Sequence, residues 1–449
     1  RAASGMADAL AAHAAKRDSL VEALRQGAGQ VALAKETSNL FRDRAAGARR
    51  RLDVRTFNQV LKISDGAVEA EGMTPYEDLT RECLAHGVMP AVVPQLKTIT
   101  LGGAVAGVGI ESSSHRQGLV HDTMLELDVL LGDGRVVTCT ADNAHADLFF
   151  GFPNSYGTLG YALRVKAKTV PVKPYVRLKH VAFSSGERFF AQLERYLRGN
   201  EADFSDGTIF SPERLFITLG RFSETAPYTS DYTFEHIYYR SIPDKREDYL
   251  TIHDYLWRWD TDWFWCSKNV LAQNALFRKF VFGKERLGSK TYTKIMRWNS
   301  RTGVTKKLER LLGLHSESVI QDVDIPISRA AEFLDFYAKE IRLWPQWVCP
   351  IGAASRRFTL YPIEHDWYVN FGFWDVKRTR DAHPPGHFNR LIEEKVSALG
   401  GIKSLYSDSY FAEDDFRRRY GGEAYDALKR KYDPAGAFPR LYDKCVLKA

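Results

Sequence analysis

Residues 100–115 read Thr-Leu-Gly-Gly-Ala-Val-Ala-Gly-Val-Gly-Ile-Glu-Ser-Ser-Ser-His. The glycines at 102, 103, 107 and 109 lack the GxGxxG spacing of a Rossmann dinucleotide site and the GK[ST] ending of a P-loop, so those two nucleotide folds are disfavoured. Glycine-rich backbone still lets consecutive N–H groups approach a pyrophosphate closely, because no Cβ stands in the way. Taken alone, the same residues fit a tight turn or close sheet packing equally well.

The flanking sequence narrows this. Upstream, the spacing predicts a helix over about Asp8 to Gln26 and a strand over Gln30 to Lys35. The stretch RLDVRTFNQVLKISDGAVEAEG then predicts a strand, a short helix and a strand pair turning at Asp65-Gly66. Thr74-Pro75-Tyr76-Glu77 predicts a helix N-cap at Thr74 with proline at the first helical position, the helix ending near His86 with Gly87 as its cap. Downstream, MLELDVLL and RVVTCT flank Gly132-Asp133-Gly134 as a hairpin, and Phe152-Pro153-Asn154-Ser155-Tyr156-Gly157-Thr158-Leu159-Gly160 leads into the alternating strand YALRVKAKTV. Pro171 and Pro174 mark a domain boundary. No fixed-period repeat is visible.

The chain has 449 residues, 44% hydrophobic and 27% charged, which is the composition of a folded globular protein of about two or three units. The charge-free run Thr98 to Ile110 falls short of the roughly 20 apolar residues of a membrane span. Cysteines 83, 139, 266, 349 and 445 are odd in number and form no CxxC pair, so neither a disulfide framework nor a metal site is expected. With no targeting segment read at the start, the expected location is cytoplasmic, with peripheral attachment at the inner face of the membrane. That attachment is suggested by charge: His236 to Leu312 holds 16 Lys and Arg against 8 Asp and Glu, interleaved with Tyr255, Trp257, Trp259, Trp263, Phe264, Trp265, Phe277, Phe280 and Phe282. Basic plus aromatic suggests an anionic membrane surface or a lipid substrate, and aromatic core helices with a solvated basic face fit as well. Nucleic acid is not expected, for no module that binds it is present. The oligomeric state is not readable.

The order of these pieces, a turn after the first strand, a TLGG loop, a hairpin around LGDGRVV and a GTLG loop before a strand, resembles the vanillyl-alcohol-oxidase-type FAD-binding fold. GIESSSH at Gly109 to His115, followed by Gly118-Leu119, resembles the Δ24-sterol reductase (seladin-like) family, which includes bacterial methylene-fatty-acyl reductases. The similarity continues through Trp347-Val348-Cys349-Pro350, Leu405-Tyr406-Ser407-Asp408-Ser409-Tyr410 and the ending AFPRLYDKC.

The resemblance implies an α+β fold: a two-subdomain FAD-binding domain over residues 1–175, an α/β substrate cap over 176–400, and a C-terminal segment, 401–449, returning to the FAD domain. It places Thr37 and Ser38 in a first FAD loop. It wraps Thr100, Leu101, Gly102, Gly103, Ala104, Gly107, Val108, Gly109, Ile110, Glu111 and Ser112 around the cofactor with His115 beside them, and closes the site with Gly157, Thr158, Leu159 and Gly160. The first loop reads Lys35-Glu36-Thr37-Ser38-Asn39, without the histidine that tethers flavin in many relatives, so FAD is expected to be noncovalent. NADPH or NADH would reach it directly, by ping-pong turnover.

The reaction implied is reduction of an isolated carbon–carbon double bond, which needs an acid, aromatic faces for a developing cation, and exclusion of water. Tyr406, Tyr410 and Glu111 are the expected catalytic residues, with Trp347 and Cys349 lining the substrate pocket. Asp408 and the triplet Glu364-His365-Asp366 are further candidates, although the triplet reads better as a solvated hairpin turn. Ala- and Arg-rich composition points to a high-GC bacterial source. The expected substrate is therefore a 10-methylene or unsaturated fatty acyl chain of a phospholipid rather than a Δ24 sterol. An oxygen-using FAD oxidase of an alcohol or sugar, and a flavin-free lipid-binding protein on the same scaffold, are the rival readings.

Overall fold

A computed structural model describes residues 2–35, 49–352 and 357–448. The predicted Thr37 and Ser38 lie outside the described residues.

The first unit follows a long helix, Ala2–Arg25. Its strands are Val31–Ala34 (β1), Arg50–Asp53 (β2), Val60–Ser64 (β3), Ala67–Glu71 (β4), Val88–Pro90 (β5), Met124–Leu130 (β6), Val136–Cys139 (β7) and Tyr161–Pro171 (β8). β1 and β2 form a parallel pair, while the larger sheet runs β3-β4-β8-β6-β7, with β5 on the far end of β8. Asp65 and Gly66 both adopt positive φ, 54° and 73°, which is the backbone a two-residue hairpin needs. No helix forms between β2 and β3.

The helix after β4 starts one residue later than predicted, at Tyr76, because Pro75 is still extended. Thr74 is fully buried and its hydroxyl donates to the Gln59 carbonyl at 3.3 Å instead of capping the helix. A second departure is more instructive. The glycine-rich stretch opens as a short helix, Leu101–Ala106, capped by Thr100 Oγ1, which accepts from the Gly103 N–H at 3.2 Å.

The second unit is an eight-stranded sheet in the order β12-β9-β11-β10-β14-β15-β13-β16. Its strands are Tyr175–Phe183 (β9), Phe204–Ser211 (β10), Arg214–Ser223 (β11), Glu247–Thr251 (β12), His315–Pro326 (β13), Gln346–Gly352 (β14), Trp367–Thr379 (β15) and Ile402–Lys403 (β16). Helices Gly186–Arg198, Ala330–Glu340 and His387–Ala398 share one apolar core with β11, β13 and β15, burying Phe189, Leu193, Phe333, Ile392, Val323 and Phe371. A second, larger core joins the first unit to the aromatics of 232–292. Both helices and sheets build the molecule, as the α+β expectation requires.

The C-terminal segment begins on the second sheet, where Ile402 and Lys403 pair with Asp324 and Val323. Only after this does it cross to the first unit. There Tyr425 Oη donates to Thr158 Oγ1 at 2.8 Å and Lys429 Nζ to the Thr158 carbonyl at 2.7 Å. The stretch 358–363 forms no strand; Phe358 and Tyr361 turn inward from an irregular loop.

Candidate active site

A cavity of about 1190 Å³ lies where the two sheets and the C-terminal segment meet. Pockets for a single small ligand run about 300–1,000 Å³, so this one has room for a dinucleotide. Its floor is the glycine stretch: Thr100, Gly102, Gly103, Ala104, Gly107, Val108, Gly109 and Ile110 all line it, as do Gly157 and Gly160.

The glycines are there because backbones touch. A Cβ on Gly102 would lie 2.6 Å from the Gly72 carbonyl oxygen, and one on Gly72 would lie 2.0 Å from the Ala162 oxygen. The exit of β4, the short helix and β8 therefore pack without side chains between them. The second loop is pinned to this floor, since the N–H groups of Asn154 and Tyr156 donate to the carbonyls of Gly107 and Ala106 at 3.0 and 2.9 Å. Lys444 Nζ holds the Tyr156 carbonyl from the other side.

Six cations also reach the wall: Lys35, Arg49, Arg51, Arg297, Arg301 and Lys444. A glycine cradle too tight for side chains, rimmed by positive charge, fits the pyrophosphate of a dinucleotide.

The opposite wall carries the chemistry. Asp322 and Asp324 alternate with Val323 and Ile325 on β13, so the carboxylates share one face and the aliphatic groups pack into the second core. Tyr406 Oη donates to Asp322 Oδ2 at 2.7 Å and accepts from Trp374 Nε1 at 2.8 Å. Tyr361 Oη donates to Asp324 Oδ2 at 2.6 Å, and Asn370 Nδ2 donates to its Oδ1 at 2.8 Å. All six of these residues line the cavity.

Among the described residues, no cation pairs with either carboxylate. Burial pushes Asp322 up to about 7, with Asp324's charge adding to the rise and the Tyr406 hydrogen bond opposing it. Burial likewise pushes Asp324 to about 6 against its two hydrogen bonds. Tyr406 is driven well above 10 by burial and by the adjacent Asp322 charge, so its phenol stays protonated.

Aromatic faces complete the wall. Trp263 and Phe264 both line the cavity and both adopt left-handed backbone, φ 43° and 57°, a conformation that costs non-glycine residues on the order of 1–3 kcal/mol each. Phe264 lies 4.3 Å from Trp374, centroid to centroid, and stacks on Trp259 at 4.6 Å.

Several residues expected here lie elsewhere. Leu101 turns into the core and Leu159 is fully buried beside it. Thr158 is taken up by Tyr425 and Lys429. Glu111 is not on the wall. Its carboxylate receives both terminal nitrogens of the buried Arg258, at 2.9 and 3.1 Å, and Arg258 also donates to Asp206 at 2.8 Å. Ser112 joins the same cluster through Tyr255 Oη at 2.8 Å.

His115 is held between the Ser112 and Ala202 carbonyls at 2.9 Å each, and burial lowers its pKa, so it is spoken for structurally and points away from the cavity. Trp347 donates to Asp206 at 3.1 Å, and Cys349 is fully buried with its thiol pushed far up by burial; neither reaches the wall. Tyr410 has its backbone N–H on Glu393 at 3.0 Å and its ring under Arg390 at 5.2 Å, again outside the cavity. Glu364, His365 and Asp366 are exposed. Of the expected acids, only Tyr406 faces the cavity.

Asp322, Asp324, Asn370, Tyr361 and Trp374 were not singled out by sequence reasoning. One signal existed for the first two: paired acids at alternate positions of VIQDVDIP, an otherwise apolar strand.

Comparison with known proteins agrees with the cavity's build. The FAD binding domain family matches residues 10–140. The chain is 27% identical over 413 residues to the Δ24-sterol reductase of Homo sapiens, covering 88% of this chain and 75% of that one. It is 25% identical over 455 residues to the Δ24-sterol reductase of Pisum sativum, covering 88% and 76%. Cytokinin dehydrogenase 6 of Oryza sativa subsp. japonica is 24% identical over 401 residues, covering 82% and 71%.

Proposed function

We propose that this chain, which belongs to the vanillyl-alcohol-oxidase-type FAD-binding family of the Δ24-sterol reductases, uses NADPH or NADH to reduce an isolated double bond in a lipid, a 10-methylene or unsaturated fatty acyl chain of a phospholipid. It is an FAD-dependent oxidoreductase. The observation that carries the finer reading is the Trp374–Tyr406–Asp322 hydrogen-bonded chain on the wall of a glycine-floored cavity.

The glycine floor and the cations around it would hold FAD, which, when bound, would supply a hydride. The chain's own residues must supply the proton. With Asp322 ionised, the Tyr406 hydroxyl proton is committed to Asp322 Oδ2. With Asp322 protonated, the carboxylic acid donates to the Tyr406 oxygen instead, and the phenolic proton becomes available to a group in the cavity. A pKa of about 7 lets Asp322 alternate between these states near neutrality.

Protonation of a 1,1-disubstituted or trisubstituted alkene leaves a tertiary cation. Its neighbours would be the faces of Trp263, Phe264 and Trp374, which stabilise positive charge and exclude water. One proton from Tyr406 and one hydride balance the reduction of C=C to CH–CH, and Asp322 returns a proton to Tyr406.

The test is an anaerobic titration of the yellow protein with NADPH, followed by incubation with a methylene-bearing phospholipid and mass analysis of the lipid. The expected result is bleaching, retention of FAD in the supernatant after acid precipitation, and a gain of two mass units in the acyl chain. An unchanged lipid, with reduction of a Δ24 sterol in parallel, would transfer the reading to the sterol, which the names of the human and pea relatives favour. Rapid reoxidation by air with release of hydrogen peroxide would favour the oxidase.

A further inference from the structure

Within the basic aromatic segment 236–312 the structure draws a line near residue 270. Before it, Tyr255, Trp257, Trp259, Trp263, Phe264 and Trp265 are buried in the core. After it, the apolar groups come out. Leu276, Phe280, Trp298, Leu308, Leu311 and Leu312 are all more than half exposed, Phe280 at 76% and Leu311 at 84%.

Three short elements carry most of them. In the turn Arg278–Phe282 the residue turned inward is Arg278, buried in an ion pair with Asp262 at 2.6 and 3.0 Å, while Phe280 and Val281 face solvent. Helix Ser289–Thr302 anchors itself by Ser289 on Asp260 at 2.6 Å and Tyr292 on the Thr261 carbonyl at 2.7 Å, leaving Met296 and Trp298 outside. In helix Val304–Leu311 the buried residue is Glu309, tied to Arg378 at 2.9 Å. Val304, Leu308 and Leu311, spaced i, i+4, i+7, form the outward stripe. A surface selected only for water would be built the other way round.

The charge around these groups is one-sided. The whole chain has 63 Lys and Arg and 56 Asp and Glu, but Leu271 to Leu312 has 11 and 2, so the remainder of the molecule is slightly acidic. One of the two acids, Glu309, is turned inward. We propose that this face docks on an anionic lipid bilayer, with Phe280, Trp298 and the Val304–Leu308–Leu311 stripe entering the interface and the surrounding lysines and arginines on the headgroups. A second copy of the chain is the poorer occupant, because a two-fold contact would press this positive face against itself.

The location bears on catalysis. Arg297 and Arg301, on the same helix as Trp298, are exposed and also line the cavity. A bilayer bound to this face therefore lies at a wall of the cavity, and a lipid can pass from leaflet to site without crossing water. Only this last step rests on the lipid substrate proposed above.

The experiment is flotation of the full FAD-loaded chain with vesicles of saturated phosphatidylglycerol and phosphatidylcholine, and with phosphatidylcholine alone. The saturated chains offer no reducible bond. Flotation is expected with the anionic vesicles, falling as salt rises. It should drop at least about tenfold in the double variant Leu308→Glu/Leu311→Glu and in Phe280→Glu, with FAD content and turnover of detergent-dispersed substrate unchanged. No flotation, or flotation that the variants leave intact, overturns the proposal. So does a wild-type dimer that Leu308→Glu/Leu311→Glu makes monomeric without any vesicle binding. A chain that floats and reduces no lipid keeps the docking face and loses the substrate reading; the reverse outcome separates them the other way.

Discussion

Two pairs of carboxylates in this molecule sit in opposite settings. Glu111 and Asp206 share the guanidinium of Arg258, which also lies 4.1 Å over the Tyr255 ring and reaches Glu111 across 147 residues. That cluster joins the end of the glycine stretch to β10 and has no wall on the cavity. Among the described residues, Asp322 and Asp324 have phenols and an amide as partners, and both face the cavity. Burial alone does not mark a carboxylate as chemical. The counter-charge separates the pairs: Glu111 and Asp206 share a buried guanidinium, whereas Asp322, without one, is pushed by burial to about 7.

The largest expected effect tests the paired cluster. Arg258→Met leaves Glu111 and Asp206 buried without a cation, and should cost about 3–5 kcal/mol in a denaturant unfolding experiment. Adding Glu111→Gln and Asp206→Asn to it should recover part of that loss. A single variant as stable as the wild type would remove the contrast between the two pairs.

Next comes the donor itself. Tyr406→Phe keeps the ring and removes the acid, so lipid reduction should fall about 10²–10⁴-fold while the rate of FAD reduction by NADPH stays the same. Loss of both half-reactions together would mean that Tyr406 supports the cofactor and not the proton transfer.

Asp322→Asn sharpens the comparison through pH. In the wild type, the productive state needs Asp322 protonated, so turnover should fall as pH rises through about 7. The asparagine amide donates to the Tyr406 oxygen at every pH, so the fall near 7 should vanish, with a lower plateau because the proton reservoir is gone. Stability must follow with a defined sign. A carboxyl whose folded pKa is raised stabilises the fold fully below its unfolded value near 4, and that contribution is lost as pH rises towards 7. Relative to wild type, Asp322→Asn should therefore gain stability across that window, on the order of 1–4 kcal/mol. Asp324, at about 6, has the same sign over a narrower range.

The same contrast explains what could be read from the sequence. Local chemistry was legible: Asp65-Gly66 makes its turn through its own φ angles, and the glycine stretch announces a close backbone approach. What depends on distant partners was not. Thr74 has the composition of a cap, yet Gln59 takes its hydroxyl. Glu111 sits beside the glycines as a catalytic acid would, and Arg258 cancels it from far along the chain. Tyr410 and Tyr406 are alike in sequence, and only the register of β13 against β15, which sets Ile320 opposite Trp374 and Asp322 opposite Gly372, puts Asp322 and the Trp374 indole at one of them. The alternating acids of β13 were legible in principle from period two alone.

The smallest expected effect probes the far end of that hydrogen-bonded chain. Trp374 Nε1 donates to the Tyr406 oxygen, and this contact lowers the phenol's pKa against the rise imposed by burial and Asp322. Trp374→Phe keeps an aromatic face near Phe264 and removes the N–H. The phenol becomes a weaker acid by about the worth of one neutral hydrogen bond, 0.5–1.5 kcal/mol, so lipid reduction should slow about 2–12-fold with FAD reduction unchanged. The solvent deuterium isotope effect distinguishes this from a packing defect. A lost indole donor acts on the proton, so the solvent deuterium isotope effect on lipid reduction should rise as proton transfer becomes more rate-limiting. A loosened pocket would slow the reaction with the isotope effect unchanged, and Asp322 would then be the only group tuning Tyr406.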